Sequence, residues 1–317
     1  MLHGPAKNFW LAEVILGPPR LLLSRTALLI AASLSMPAMV AARSPPTGPP
    51  APALPPHKRS TNYGYYNPMD GGGSMLTQVQ NTYPAGLGEP INVIISAYSD
   101  SQALQNTLVN GGLINYFQSF GFSTECLGQH AGSDQAADLG DGNGYLNETA
   151  VIRWDYGDAN LGTCQESVEG GNHFRYWIQN GQSADSGAIF MAASYEMPIA
   201  EQHNIVVNGY NLGRDWLVGN VTSQSTIIPT ANITNTSTYS GQTSFNNFTY
   251  ATTATYVSGL LQNTSDGINH YQTVAVNGLN AIDGLVVVLT VKIVQKPGSS
   301  SSSGWVPISV TTYIHLC

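Results

Sequence analysis

Apolar residues come in short blocks along this chain. Pro90–Ala97, PINVIISA, is continuous and rich in β-branched residues, the pattern of a buried strand. Ser99 or Asp100 is placed to cap a following helix. Leu104, Leu108, Leu113, Tyr116, Phe117 and Phe120 mark its apolar face, which Gly111-Gly112 splits and Gly121 ends. FSTECLG then reads as a second strand. A β–α–β opening of this kind predicts two parallel neighbours joined by a right-handed crossover.

Further along, Ala150–Tyr156 reads as a strand, and Asn172–Ile178 as another. The run AIFMAASYE after Gly187 is apolar on both faces. NGYNLGRDWLVGN reads as a short helix with Leu212 and Trp216 on one side. From Val221 the pattern turns polar, with the alternation of exposed strands and loops, until Leu285–Val294 gives a clear strand. The fold class is therefore α+β: one mixed β-sheet domain over residues 88–296, opened by a β–α–β unit, with helices on one face and a β-rich C-terminal half.

The flanks differ in kind. Residues 1–42 read as a signal peptide: basic residues, then the apolar run Thr26–Ala42, broken by Pro37 and ending in small residues before Arg43. A signal anchor is the competing reading, although the run is short of the roughly 20 apolar residues of a membrane span. Residues 43–87 read as a disordered linker, proline-rich up to Lys58-Arg59, a candidate processing site, and then glycine- and tyrosine-rich from Tyr63 to Gly73. Residues 297–317 form a serine-rich tail.

Charge narrows the partners. From residue 60 onward, five cations (Arg153, Arg175, Arg214, Lys292 and Lys296) face 18 acids, a net −13. Such a surface repels phosphate backbones, which argues against nucleic acid as a partner. Six N-x-[ST] sequons, at Asn147, Asn220, Asn232, Asn235, Asn247 and Asn263, read with the leader as a secreted glycoprotein. In an oxidising compartment Cys126 and Cys164 are the expected disulfide, closing a loop worth roughly 4 kcal/mol. Cys317 has no evident partner, and three reduced cysteines are the alternative.

Chemistry concentrates between Gly170 and Gly219. On a strand, His173, Arg175 and Trp177 share one face. Ser194, Glu196, His203, Arg214 and Asp215 follow. The isolated arginines either pair with buried carboxylates such as Glu196 or Asp215, or clamp an anion bidentately. His173, His203 and His270 with Glu196 offer a metal set without H-x-H or H-E-x-x-H spacing. A Ser194-based triad lacks the G-x-S-x-G elbow. Asp155, Asp158, Glu166, Glu169, Glu196 and Asp215 supply carboxylates for a glycosidase pair. The loop DLGDGNG offers Asp138, Asp141 and Asn143 to calcium as a cofactor, but off the D-x-[DN]-x-[DN]-G spacing. An ordinary turn is the alternative.

The succession EPINVIISA, NHFRYW, AIFMAASYE, a histidine and GRDWLV resembles the LssY C-terminal domain family over about residues 88–220. The GDGNG and GGNHFR stretches are similar to those of secreted fungal proteins of unassigned function. The resemblance implies His173, Arg175, Trp177, His203, Arg214 and Asp215 as the matching site positions and leaves the chemistry open. Two functions follow as expectations. One is an extracellular protein binding a small anionic or glycan ligand at His173, Arg175 and Arg214. The other is an extracellular hydrolase acting on a cell-wall or lipid-derived substrate, with His173 or His203 as base.

Overall fold

Long strands buried on both faces build one large sheet, which a computed structural model describes for residues 63–130, 132–224, 230–276 and 278–298. The leader, the proline-rich passage with Lys58-Arg59, and the tail from residue 299 with Cys317 lie outside the described residues. The strands are β1 (Gln78–Val79), β2 (Val93–Ile95), β3 (Phe122–Thr124), β4 (Gln135–Asp138), β5 (Tyr145–Asn147), β6 (Ala150–Trp154), β7 (Gly171–Gly181), β8 (Ala184–Glu196), β9 (Thr238–Phe245), β10 (Phe248–Val257), β11 (Asn263–Thr264), β12 (Ile282–Asp283) and β13 (Val286–Gln295). The helices are α1 (Leu113–Ser119), α2 (Gly162–Glu169), α3 (Gly209–Val221) and the single turn α4 (Tyr271–Val274). No helix among the described residues is long and apolar enough to cross a membrane.

The fold is α+β. Eight strands form one mixed sheet in the order β3-β6-β7-β8-β2-β13-β10-β9. Only β2 and β13 pair in parallel; the other ladders of this sheet are antiparallel. The sheet curls, and α1 packs against both of its edge strands, β3 and β9, closing the gap between them. Covering edges in this way removes open backbone groups from competition for other chains.

Four expectations change here. β2 and β3 run the same way but are not neighbours, because β6, β7 and β8 insert between them; the parallel partner of β2 is the distant β13. Ser99 and Asp100 cap no helix. Their side chains accept from Val291 and Ile293 N–H at 3.0 and 2.8 Å, continuing the β13 ladder where β2 stops. The ordered chain also begins upstream of residue 88: Tyr65 and Met75 are buried against the sheet, and the Gln179 side chain bonds both backbone groups of Tyr66 at 2.9 Å. Finally, the helices do not share one face. α1 and α3 cover Phe174, Tyr176, Ile152 and Met191, whereas α2 lies against the side chains that alternate with them.

That alternation fixes the site. On β7, Phe174 and Tyr176 enter the α1/α3 core, so His173, Arg175 and Trp177 point to the other face, where Trp177 packs with Ile94, Phe190 and Tyr65. Asn92 locks β8 in place. Its side chain accepts from Ala193 N–H at 2.9 Å and donates to the carbonyls of Ala193 and Tyr210 at 2.9 and 3.0 Å. Gly213 of α3 lies so close to β8 that a Cβ there would meet the Ser194 Cα at 2.6 Å.

A disulfide joins Cys126 to Cys164, 38 residues apart, and ties the turn after β3 to α2. Cys164→Ser should lower unfolding stability in urea by about 2–4 kcal/mol, the usual effect of opening a loop of this length. Wild-type protein under reducing conditions should match the variant.

Candidate functional site

Three neighbouring strands place Arg153, His173 and Ser194 side by side: Arg153 pairs in register with His173, and His173 with Ser194. An arginine in the middle of a sheet needs carboxylates within reach. They arrive from three elements. Glu166 of α2 accepts from Arg153 Nη1 at 2.9 Å, Glu125 from Nη2 at 3.4 Å, and Glu196 of β8 lies 3.8 Å from Nη1. Glu125 precedes Cys126 and Glu166 follows Cys164 by two residues, so the disulfide holds both carboxylates over the same guanidinium.

The glycines of the EGGNHFR stretch make this overlap fit. Gly170 ends α2 at φ 73°, and a Cβ there would strike the backbone of Glu196 and Met197. Gly171, at φ 154°, sits opposite Glu196 in the ladder, and its bare Cα admits the Glu166 side chain. Helix and strand therefore connect without a loop, and Glu166 folds back over His173.

The His173 imidazole lies between acids. Nε2 is 3.3 Å from Ser194 Oγ and 3.6 Å from Glu196 Oε1, while Nδ1 is 3.9 Å from Glu166 Oε1. His173 and Glu166 are buried, and neither His173 Nδ1 nor Glu166 Oε1 makes a well-aligned hydrogen bond, although the Gly171 backbone lies close enough to the His173 ring to favour its charged form. Glu196 and His203 form the outer rim. His203 Nδ1 stands 3.3 Å from Glu196 Oε2 without hydrogen-bond alignment, and the His203 side chain is one-third exposed.

Three carboxylates around one guanidinium leave excess negative charge. Burial, and then the Glu166 charge, push the Glu196 carboxyl up to about 8. Burial also raises Glu166. The same burial, with Arg153 nearby, holds His173 well below its ordinary value and lowers His203, so both rings stay neutral with lone pairs available.

The expected residues therefore divide. His173, Glu196 and His203 converge. Arg175 shares their face but is engaged by Glu148. Trp177 is a core residue donating its indole N–H to Leu146 O at 3.0 Å. Arg214 and Asp215 belong to the opposite face and do not reach His173. Arg214 is fully buried, bonded to Asp215 at 2.7 Å, to both oxygens of Asp283 at 2.8 Å and to Leu285 O, with its guanidinium over the Tyr256 ring. His270 faces Asn204 instead. Asp138 and Asp141 act as turn acceptors: Asp141 receives the backbone N–H groups of Asn143, Asn180 and Gly181, and Asp138 that of Gly140. Asn143 donates its side-chain amide to Asp141. A second acid–histidine cluster, His130, Asp134 and Glu148, is more open, and its groups are paired with Glu125 and Arg175.

No family model matches the chain, and no curated protein or solved structure matches it.

Sequence reasoning passed over Arg153 as a site residue and treated Glu166 as one acid among many. Two signals pointed to them: a charge at an inward position of AVIRWDY, and an acid two residues after a disulfide cysteine. Removing the cation should expose the imbalance. Arg153→Met should destabilise by about 3–5 kcal/mol in urea denaturation, because the carboxylates lose their partner. Adding Glu166→Gln to that variant should recover part of the loss.

Proposed function

We propose that this chain is an exported glycoprotein that holds a divalent metal ion at the His173 cluster and uses it for hydrolysis of an extracellular substrate. The leader and the sequons motivate the exported, sugar-bearing character, and the Cys126–Cys164 disulfide is compatible with it. On this reading the chain acts outside the membrane, and of the positions that the LssY-like resemblance implies, His173 and His203 belong to this site.

The observation that carries the metal reading is the pair of buried atoms without a well-aligned hydrogen bond, His173 Nδ1 and Glu166 Oε1, within a group whose ligand atoms, with Glu196, all lie within 4.8 Å of one another. Nitrogen and carboxylate donors of this kind suit zinc, manganese or iron. A cation also offsets the excess negative charge that Arg153 leaves. His173, Glu196 and Glu166 would hold it, with His203 at the open side. When bound, it would supply a Lewis acid and an activated water. Arg153 keeps Glu166 and Glu196 oriented, and the neutral His173 ring presents its lone pair.

An anion clamp finds less support, since Arg175 and Arg214 already face carboxylates. The hydrolase reading is favoured because two histidines, two glutamates and an arginine meet at one partly open spot.

Protein freed of metal by chelation and dialysed against zinc or manganese should retain about one equivalent by elemental analysis. His173→Ala and Glu196→Ala should retain none, and Arg175→Ala should match wild type. Saturation at a hundredfold excess over Kd should raise stability by about 2.7 kcal/mol. Ester, phosphoester and glycoside substrates should be turned over only by the loaded protein. Substoichiometric metal in the wild type would sink the reading.

A further inference from the structure

On the other side of Gly171 lies a cavity of about 270 Å³ with aromatic walls. Tyr195 and Trp216 meet edge to face, 4.8 Å between ring centres, and Trp154 with Tyr156 forms the facing wall, 6.4 Å between centres. Two polar atoms of its lining residues, Asn172 Oδ1 and Trp216 Nε1, are buried behind the wall and lack partners. Asn172 is almost fully buried, and its amide nitrogen is already committed to Gly213 O at 2.9 Å. The cavity therefore offers apolar ring faces, with one unmet acceptor and one unmet donor just behind them.

Asn220 also lines it. This asparagine heads the sequon Asn220-Val221-Thr222 and differs from the other five sequon asparagines. Those are exposed, whereas Asn220 is half-buried near the end of α3. Thr222 is buried and bonds back to Val218 O, so a sugar would have to be attached before the helix closes over the sequon.

We propose that the cavity is the seat of the first N-acetylglucosamine of a glycan on Asn220. One face of a pyranose ring is a patch of C–H groups that stacks on aromatic rings. A small turn of the Asn172 or Trp216 side chain would let the sugar's hydroxyls and acetamido group donate to Asn172 Oδ1 or accept from Trp216 Nε1–H, relieving buried groups that otherwise carry a desolvation cost. The inference rests on the glycoprotein reading above, and not on the metal.

The test uses the full chain made in a host that adds N-glycans. Glycopeptide mass spectrometry should find Asn220 occupied. Trimming the folded protein to single N-acetylglucosamine stubs should leave the melting temperature unchanged. Asn220→Gln should lower it by roughly 2–4 °C, about what one stacked aromatic contact gives in a chain of this size. Asn235→Gln, at an exposed sequon, should not shift it. In a Trp216→Ala background the Asn220→Gln shift should disappear, and in Trp216→Phe, which keeps a ring but loses the N–H, it should shrink. Chain from a host without N-glycosylation provides the sugar-free reference should Asn220→Gln fail to fold, and it should melt lower by a similar amount.

An unoccupied Asn220 beside an occupied Asn235 overturns this inference alone, as does a glycan whose effect adds independently to that of Trp216→Ala. Absence of sugar at every sequon overturns the glycoprotein reading with it. Binding of soluble N,N′-diacetylchitobiose to the sugar-free chain, with Asn220 never occupied in the glycosylating host, would assign the cavity to a free saccharide and overturn the proposal.

Discussion

A guanidinium inside a sheet is the constraint that most of this fold answers. Arg153 occupies an inward position on β6, and water cannot solvate it there, so protein carboxylates must. Glu125, Glu166 and Glu196 come from a turn, a helix and a strand that are far apart in sequence. Their convergence explains why α2 lies on the face away from α1 and α3, and why the disulfide stands where it does. Cys126 and Cys164 flank two of the three acids, so the covalent tie and the electrostatic one restrain the same pair of segments.

The solution is overdetermined in charge. One cation against three acids leaves Glu196 favouring its protonated form over much of the neutral range, with a neutral histidine wedged beside it. At the Arg214 site the excess acid is met by hydrogen bonds: two aspartates, a carbonyl and the Tyr256 ring surround one guanidinium, and the Tyr256 hydroxyl donates to Asp215. The two buried arginines differ in what is left unmet around them: the Arg153 cluster keeps His173 Nδ1 and Glu166 Oε1 without a well-aligned partner. Buried groups left unmet in this way are uncommon.

Local pattern made some of this legible. The buried strands around Ile94, Ile152, Phe190 and Val288 were readable from continuous β-branched runs, and the shared face of His173, Arg175 and Trp177 followed from a period of two. What failed was non-local. Nothing near Pro90 reveals that its parallel partner comes some 190 residues later, so a β–α–β unit was the economical local reading. Composition also misled at Tyr63–Gly73, where glycines and tyrosines pack onto the sheet through Tyr65 and close backbone contacts such as that of Gly73 with Gly140. Proximity in sequence grouped Arg214 with His173, yet α3 and β7 present them to opposite faces. A two-sided sheet defeats any grouping made along the chain alone.

Gly171 connects the two regions on which function is argued. On β8, Tyr195 and Glu196 point to opposite faces, one into the aromatic cavity and the other into the acid–histidine cluster, and the residue paired with Glu196 has no side chain. The sheet is therefore at its thinnest there. Burial raises the hydroxyls of Tyr156 and Tyr195, and the charge of Glu166 acts on both through this gap. Any side chain at Gly171 would separate the regions and push Glu166 off His173, since a Cβ would lie 3.0 Å from Glu166 Cγ. The glycine pair of EGGNHFR thus does two jobs with one geometry. It brings a helical carboxylate onto a strand histidine, and it leaves the sheet thin enough for the Glu166 charge to act on the tyrosines of the opposite face.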